Sequence, residues 1–358
     1  MRDALRYNLL MKHRPRLGLF LFLFPLLLGS AACAPGGPDG PFAVYLERLG
    51  RSLDTTPGTP LLPTPVPRPP RTGALRIDLP PGNLDALDFL ELRGCELQVT
   101  VGKANSSLGR LARDSQRLLL DLEYLRLAPA CVEQLRGAGE QALANQLEAE
   151  WARKRAQLPA RIFNATLANS EFRDLWKPAA LAPGYPAGAG STPVTALETI
   201  STLAKRWLAG DYSADNEAFE LLLYDASLGD AGTLWRALGH QAAWLEQADR
   251  LVTARLDRGP LCAPDRRPEA AEIVPNVVRK FFIAGIQPRA AELGRRYHAL
   301  LPPVQALEQQ LDAVLPGDYR HWRNARDTAL AHMADSPRRH VQRIQALLDS
   351  CGGIHDRG

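Results

Sequence analysis

The cysteines are the residues in this chain whose type and spacing could support specific chemistry, either disulfide formation or metal binding. Four of them follow Cys33 along the chain: Cys95, Cys131, Cys262 and Cys351. Four cysteines allow three pairings, and disulfides form in the oxidising compartments that exported proteins enter. We predict the pair Cys95–Cys131, which closes the shorter loop, and the pair Cys262–Cys351, which ties the segment after Gly259 to the last helix.

A zinc site fits these cysteines less well than disulfides do. The sequence contains no CxxC pair, and only Cys351 and His355 have a spacing typical of zinc ligands. Gly352 and Gly353 stand between them and would end any helix that presented both side chains to one ion. We therefore predict no metal site.

A second group of residues that could bind a ligand is a run of basic residues between positions 319 and 343. With neutral histidines its local charge is +4, from six arginines and two aspartates. Five of these arginines are candidates for binding an anionic partner: Arg320, Arg323, Arg338, Arg339 and Arg343. The partner would be a lipid headgroup, a lipopolysaccharide phosphate or a peptidoglycan carboxylate. Pairing with the protein's own carboxylates, such as Asp335, is the interpretation that we favour, because it needs no ligand.

Motifs that would indicate an enzyme are missing. No P-loop, GxSxG or HExxH pattern occurs; Gly102-Lys103, for example, lacks the preceding glycine with which a P-loop wraps phosphate. A catalytic site can still assemble from residues that are distant in sequence. We predict no cofactor and no catalytic residue, and we favour a protein without enzymatic activity.

The N-terminus indicates export. Arg14 and Arg16 precede an apolar run over residues 17–28 and then small residues, the pattern of a secretory signal. Twelve residues rise only about 18 Å as a helix, too short for a hydrocarbon core of about 30 Å. We interpret residues 1–32 as a signal peptide; translation starts at Met1 or at Met11.

Cys33 is the predicted attachment point for lipid. Ser30-Ala31-Ala32-Cys33 resembles the bacterial lipobox, in which cleavage before the cysteine exposes it for acylation, with palmitate among the acyl chains. Ala34 follows Cys33. An aspartate at this position would oppose sorting to the outer membrane, so the alanine indicates an outer-membrane destination. The alternative is ordinary secretion after cleavage behind Ala32. We expect an outer-membrane lipoprotein that faces the periplasm.

The charge balance excludes a general nucleic-acid binder. The chain has 43 Lys and Arg against 39 Asp and Glu, and the first 32 residues hold five of the basic groups and one acid. The remainder is neutral, so the broad basic surface that such binding needs is missing. With 46% hydrophobic residues the chain can bury a substantial core.

The elements behind the signal peptide are predicted from composition and periodicity. We expect a flexible tether over residues 33–41, a short amphipathic helix over 42–55 and a proline-rich extended spacer over 56–73. A helical domain over 74–351 follows, with two halves if the loop at 178–192 separates them, and residues 352–358 form a disordered tail.

The helical domain is predicted to be an all-α, multi-helix, bundle-like body. Helices are expected to begin at Thr192-Pro193 and Ser336-Pro337, since proline is favoured at the first helical position. The run from Val304 to Val314 has helical spacing between Pro303 and Pro316, and Asp230 is expected to cap a helix. Residues 95–101 alternate apolar and polar, which is a strand signal, but no second strand is evident to pair with them, so we favour helix.

Four blocks of the sequence resemble a known family. They are Leu-Asp-Phe-Leu-Glu-Leu-Arg-Gly-Cys at 87–95, Asn-Ser-Ser-Leu-Gly-Arg at 105–110, Ser-Gln-Arg-Leu at 115–118 and Leu-Ala-Pro-Ala-Cys at 127–131. Together they are similar to a family of bacterial envelope lipoproteins catalogued as a domain of unknown function, DUF3080. The resemblance implies a lipid anchor and a mostly helical body, and it brings no activity and no catalytic residue.

The sequence thus favours a lipid-anchored helical protein that works as a non-enzymatic interaction or envelope-maintenance factor. Its expected partners are the membrane, through the N-terminal lipid, and an envelope protein, a lipid or peptidoglycan. The alternative is a cell-wall or lipid-modifying enzyme with a spatially assembled site. A deep pocket with convergent ionisable groups would favour the enzyme, and a grooved helical surface would favour the binder.

Overall fold

A computed structural model of the chain describes residues 39–58, 61–63, 65–80, 92 and 94–352. All of them lie in one compact unit, which begins at Pro35. The predicted signal peptide, Cys33, most of the tether and the tail after Gly352 lie outside the described residues.

The regular structure of the described residues is helical, which confirms the all-α prediction. The only extended pairing among them is an isolated antiparallel bridge between Ala263 and Arg266. The helices are α1 Gly40–Leu53, α2 Thr72–Leu75, α3 Leu97–Asn105, α4 Ser107–Arg110, α5 Asp114–Gly137, α6 Gln141–Ala165, α7 Ser170–Leu175, α8 Thr192–Leu208, α9 Asn216–Ser227, α10 Ala231–Leu256, α11 Ala270–Val277, α12 Gln287–Gln310, α13 Gly317–Ala334 and α14 Ser336–Leu348. A π-helical turn, Val278–Ile283, joins α11 to the segment before α12, and short 3-10 turns occur at Asp312–Val314 and Asp349–Cys351.

The predicted helix starts at Thr192 and Ser336 are confirmed, and each helix has proline in its first turn. The choice of helix over strand near residues 95–101 is also confirmed, because α3 covers most of that segment. Its alternating pattern does not produce a strand, since helical burial selects Leu97, Thr100 and Val101 at a spacing of three to four.

Prolines interrupt the helices less than expected. The prediction that a helix begins after Pro303 is wrong, because α12 runs from Gln287 to Gln310 with Pro302 and Pro303 inside it. Proline inside a helix removes a backbone hydrogen bond and costs about 3 kcal/mol. Buried leucines before and after the two prolines, among them Leu300, Leu301 and Leu307, pack into the core and offset that cost.

The largest core is built from both sides of the loop at 178–192. Phe163 and Trp176 before the loop pack in the same cluster as Leu197 and Trp207 after it. The two sides of this loop therefore do not form separate halves, because the largest core draws side chains from both. The helices that contribute to this cluster are α2, α5 to α10, α12 and α13.

The loop itself is held onto the body by Asp230. Tyr185 donates its hydroxyl hydrogen to this carboxylate at 2.7 Å, and Arg296 Nε donates to Asp230 Oδ1 at 3.0 Å. Arg296 also donates to the carbonyl of Gly190. Asp230 precedes α10 as predicted, but its side chain makes no capping hydrogen bond; a nearby arginine is the stronger partner for a carboxylate.

A second core surrounds α1. Phe42, Tyr45, Leu49 and Leu53 are buried against the C-terminal half of α10, α11, the π-helical turn and α14. The 26 residues of α10 reach both cores, because Leu234 and Leu238 pack in the first and Leu245 and Val252 in the second. The amphipathic helix predicted over 42–55 is therefore an integral part of the body.

A third core joins α3 to the α5–α6 hairpin, and the cysteines lie in the two predicted pairs. The sulfurs of Cys95 and Cys131 are 2.07 Å apart beside this core, and those of Cys262 and Cys351 are 2.06 Å apart beside the second core. Each disulfide therefore joins elements that are 36 or 89 residues apart in sequence.

The described residues of the proline-rich segment contain only the four-residue helix α2, and they lie against the body. Gln247 Nε2 donates to the carbonyl of Gly58 at 3.0 Å, and Trp322 Nε1 donates to that of Pro67 at 3.2 Å. Pro69 is buried and Leu75 is 2% exposed. Proline retains its carbonyl as a hydrogen-bond acceptor and has an apolar ring that can pack. The described residues of 56–73, which we call the strap, therefore pack on the body and do not form the extended spacer that we expected.

Candidate functional site

Four of the five candidate arginines make local contacts. Arg323 pairs with Asp312 at 2.7 Å, and Arg320 donates to the backbone carbonyl of Asp312. Arg339 Nη1 donates to the carbonyl of His332 and lies 3.5 Å from Asp335 Oδ2, the partner that we named. Arg343 contacts Thr253 at 3.3 Å, whereas Arg338 is exposed and has no polar partner among the described residues.

The structure does not bring these five arginines together. Arg320 and Arg323 lie in the first two turns of α13, and Arg338, Arg339 and Arg343 lie on α14, which begins after α13 ends. At 1.5 Å per residue, Arg323 lies about 17 Å along α13 from its C-terminal residue Ala334, after which α14 begins. The five arginines form two small groups, each next to its own carboxylate.

The sixth arginine of the run, Arg326, is the one that our sequence reasoning missed. It is fully buried, and its Nη1 and Nη2 donate to the two carboxylate oxygens of Glu308, both at 2.7 Å. Its guanidinium lies 5.0 Å from the ring centroid of Trp176 and 4.9 Å from that of Trp322. Tyr319, whose pKa is raised by burial, stays neutral and donates to Glu308 at 2.6 Å.

A buried chain of three polar side chains links α1 to α10 and α14. His340 Nδ1 lies 2.6 Å from Asp249 Oδ1, and His340 Nε2 lies 2.7 Å from the hydroxyl of Tyr45. The carboxylate can only accept, so we assign the hydrogen to Nδ1 and let the tyrosine donate to Nε2. Burial raises the pKa of Tyr45, with the charge of Asp249 as a smaller cause, so the phenol stays protonated.

This chain resembles a catalytic triad only in its connectivity. Tyr45 is 1% exposed and His340 is fully buried, and both rings pack on Phe282. A nucleophile must meet a substrate, and a phenol with a raised pKa is a poor one. We therefore interpret the chain as structural.

Replacing Tyr45 by phenylalanine tests that interpretation. We expect the free energy of unfolding to fall by about 1–2 kcal/mol, because His340 Nε2 would lose its buried donor. Tyr224→Phe is the matched control, since Tyr224 is 58% exposed, and its effect should stay within about 0.5 kcal/mol. Urea denaturation measures both; equal effects would show that the hydrogen bond contributes nothing.

The cavity with the clearest chemical character is what we call the cationic pocket, a cavity of about 310 Å³. Three cationic side chains line it, and Asp174 is the single carboxylate. Its lining residues are Arg68, Pro69, Thr72, Ser170, Arg173, Asp174, Trp176 and Lys177.

The cationic pocket continues into a neighbouring cavity, the polar cleft, of about 400 Å³. Thr72 and Ser170 line both cavities. In the polar cleft, Arg76 pairs with Asp114 through its Nε at 3.0 Å, and Arg113 lies 3.9 Å from Glu171. The remaining lining is mainly amide and hydroxyl: Ser115, Asn164, Asn169 and Ser170, with Gly73, Ala165 and Ala168.

Helix α7 and the residues directly after it place two of the cations at the pocket. Asn169 caps the helix by accepting from the backbone N–H of Phe172 at 2.8 Å. Phe172, Leu175 and Trp176 are buried in the main core, which leaves Arg173 and Lys177 on the outer side of the chain.

The strap supplies the third cation. Pro67 accepts from Trp322 and Pro69 is buried, and between them Arg68 is exposed. We did not identify this residue because we interpreted the proline-rich segment as a spacer. The one signal in the sequence was that Arg173 and Lys177 stand four residues apart, although Lys177 itself follows the end of α7.

Neither a metal centre nor a membrane-spanning helix is found in the part of the chain that the structure describes. Within those ranges no three side chains of His, Cys, Asp or Glu lie close enough together to hold an ion. No described helix combines the length and the apolar content needed to cross a bilayer.

Comparison with known proteins places the chain in a family. A family model described as a protein of unknown function (DUF3080) matches residues 42–354, so the chain belongs to this family. The match includes α1 and the strap, which agrees with their packing in the body. No curated protein and no solved structure matches the chain.

Proposed function

We propose that this DUF3080 protein is a lipid-anchored, non-enzymatic interaction factor of the bacterial envelope, attached through Cys33 to the periplasmic side of the outer membrane. The observation that carries the proposal is the burial of α1 in the second core. Because the chain from Cys33 to Asp39 reaches at most about 20 Å, an acyl chain on Cys33 would hold the whole body at the membrane surface.

The cysteines support export. The four that follow Cys33 are paired in two disulfides, and such bonds persist in the periplasm but are rare in the cytosol.

The shape of the cavities supports a binder over the alternative enzyme. The cationic pocket and the polar cleft are open surface cavities between helices and the strap. The ionisable groups of the polar cleft neutralise one another in pairs, and Ser115 donates its hydroxyl hydrogen to Glu220 at 2.6 Å. Ser115 is 6% exposed, so the hydroxyl that Glu220 could activate has little access to a substrate, which disfavours covalent catalysis at this cleft.

Cys33→Ser tests the anchor. We expect wild-type protein to incorporate labelled palmitate and to fractionate with the outer membrane. The variant should take up no label and should remain unprocessed or appear in the soluble periplasmic fraction. Outer-membrane fractionation of the variant, together with an unlabelled wild type, would contradict the proposal.

Ala34→Asp is the control that separates anchoring from sorting. It leaves Cys33 in place, so the label should be retained while the protein moves to the inner-membrane fraction. Loss of label in this variant would mean that the substitution disturbs processing and that fractionation alone cannot report sorting.

A further inference from the structure

We propose that the cationic pocket and the polar cleft together bind an acidic saccharide of the envelope, whose carboxylate or phosphate lies among Arg68, Arg173 and Lys177. The proposal deepens the proposed function by naming a ligand class for the interaction factor. Its test uses soluble protein, so its outcome does not depend on lipid attachment.

The first argument is unbalanced charge. Arg68, Arg173 and Lys177 form no ion pair and no side-chain hydrogen bond within the described ranges, and the Nε of Arg173 is buried without an acceptor. Some cations on the same body have close carboxylates, such as Arg161, whose Nε lies 2.7 Å from Asp121; the three cations of the pocket are unpaired in the part of the chain that the structure describes and also line one cavity. Three cations beside one carboxylate repel each other, and a bound anion would relieve that repulsion through charge-assisted hydrogen bonds.

The second argument is an unused donor at the pocket wall. Trp176 is 2% exposed and lines the cationic pocket, and its indole Nε1 has no acceptor among the described residues. A buried donor without a partner costs roughly 1–3 kcal/mol. Trp176 lines the cavity together with the three cations, and Asp174 is the single carboxylate of that lining, which suits an anion.

The third argument concerns the rest of the ligand. The polar cleft is lined by hydroxyls and paired charges, by the amides of Asn164 and Asn169, which already hydrogen-bond to the backbone, and by two alanines. The lining holds no large aliphatic or aromatic side chain on which an acyl chain or an aromatic base could pack, and its hydroxyls and paired charges suit sugar hydroxyls. Cavities of about 310 and 400 Å³ fall in the size range of small-ligand sites.

The binding test uses the full chain with Cys33→Ser, purified from the periplasm and titrated calorimetrically. Three probes of similar length distinguish the sources of charge: a peptidoglycan disaccharide-peptide with free carboxylates, a phosphorylated oligosaccharide from the lipopolysaccharide core, and a neutral oligomer of N-acetylglucosamine. We expect at least one acidic probe to bind at least about tenfold more tightly than the neutral one, and added salt to weaken that binding. Equal affinity for all three probes, or no binding of either acidic probe, overturns the proposal.

A triple variant locates the site. Arg68→Gln, Arg173→Gln and Lys177→Gln together should weaken binding of the acidic probe at least about tenfold. The matched control is Arg250→Gln, Arg295→Gln and Lys205→Gln, which removes the same charge from exposed positions without ion pairs in the described part of the chain. Equal weakening by both triple variants would assign the effect to net charge and overturn the proposal.

Two further variants keep the result interpretable. Lys177→Gln alone removes one exposed charge, and a smaller loss of affinity at unchanged melting temperature supports the site even if the triple variant folds poorly. Arg338→Gln with Arg339→Gln tests the arginines of α14 that the sequence indicated. Unchanged affinity in this double variant supports the cationic pocket, and a loss as large as that of the triple variant moves the site to α14 and overturns the proposal.

Discussion

Replacing Arg326 by methionine should lower the free energy of unfolding by about 3–5 kcal/mol. The substitution would leave the carboxylate of Glu308, which is 1% exposed, without its bidentate partner inside the main core. Tyr319 would remain its hydrogen-bond donor, but one phenol cannot neutralise a buried charge. The two indole rings that pack on the guanidinium, those of Trp176 and Trp322, would also lose a favourable cation–π contact.

Arg323→Met is the matched control for this prediction. Arg323 lies on the same helix and pairs with Asp312, whose side chain is 58% exposed. Exposed pairs contribute about 0–1 kcal/mol, so the control should lose less than about 1 kcal/mol. Guanidinium denaturation measures both variants, and similar losses would show that burial does not strengthen the Glu308 pair.

The double variant Glu308→Met with Arg326→Met distinguishes the loss of the ion pair from the cost of leaving one buried charge unpaired. Removing both groups removes the buried charge, so the double variant should be more stable than Arg326→Met alone. A double variant less stable than the single one would mean that the two side chains act mainly through packing.

Removing the disulfide between Cys262 and Cys351 is the second large effect that we expect. The bond closes a loop of 89 residues, for which the loop-entropy relation gives about 4.5 kcal/mol; the 36 residues between Cys95 and Cys131 give about 4 kcal/mol. The structure adds a local reason, because Cys262 N donates to Ser350 Oγ at 3.1 Å beside the bond. Without the disulfide the C-terminal end of α14 could separate from the segment after α10.

The measurement compares two double variants, Cys262→Ala/Cys351→Ala and Cys95→Ala/Cys131→Ala, by thermal melting under non-reducing conditions. Removing both members of a pair avoids a free thiol that could form wrong disulfides. We expect both variants to melt lower than wild type, the first at least as low as the second. A wild type whose melting temperature is unchanged by a reductant that opens both bonds would contradict this prediction.

Helix content could be predicted from the sequence because apolar spacing and terminal prolines are local properties. The starts at Thr192 and Ser336 needed only the residues next to them. The continuous helix through Pro302 and Pro303 could not be predicted in this way, because the energy that offsets proline comes from buried contacts with other helices. The strap was misjudged for the same reason, since its acceptors and rings are stabilised by partners such as Trp322.

The candidate site was less predictable than the fold. The sequence by itself determined which residues are cysteine or charged, the helical character of the body and the two disulfide pairs that it predicted. Only the tertiary structure decided which cations have partners, because pairing depends on distances between helices that are far apart along the chain. Arg326 is buried against Glu308 at a separation of 18 residues, whereas Arg68 lies with Arg173 at one pocket although more than 100 residues separate them. Charge composition is additive along a sequence, but electrostatic energy depends on distance and burial, and the fold sets both.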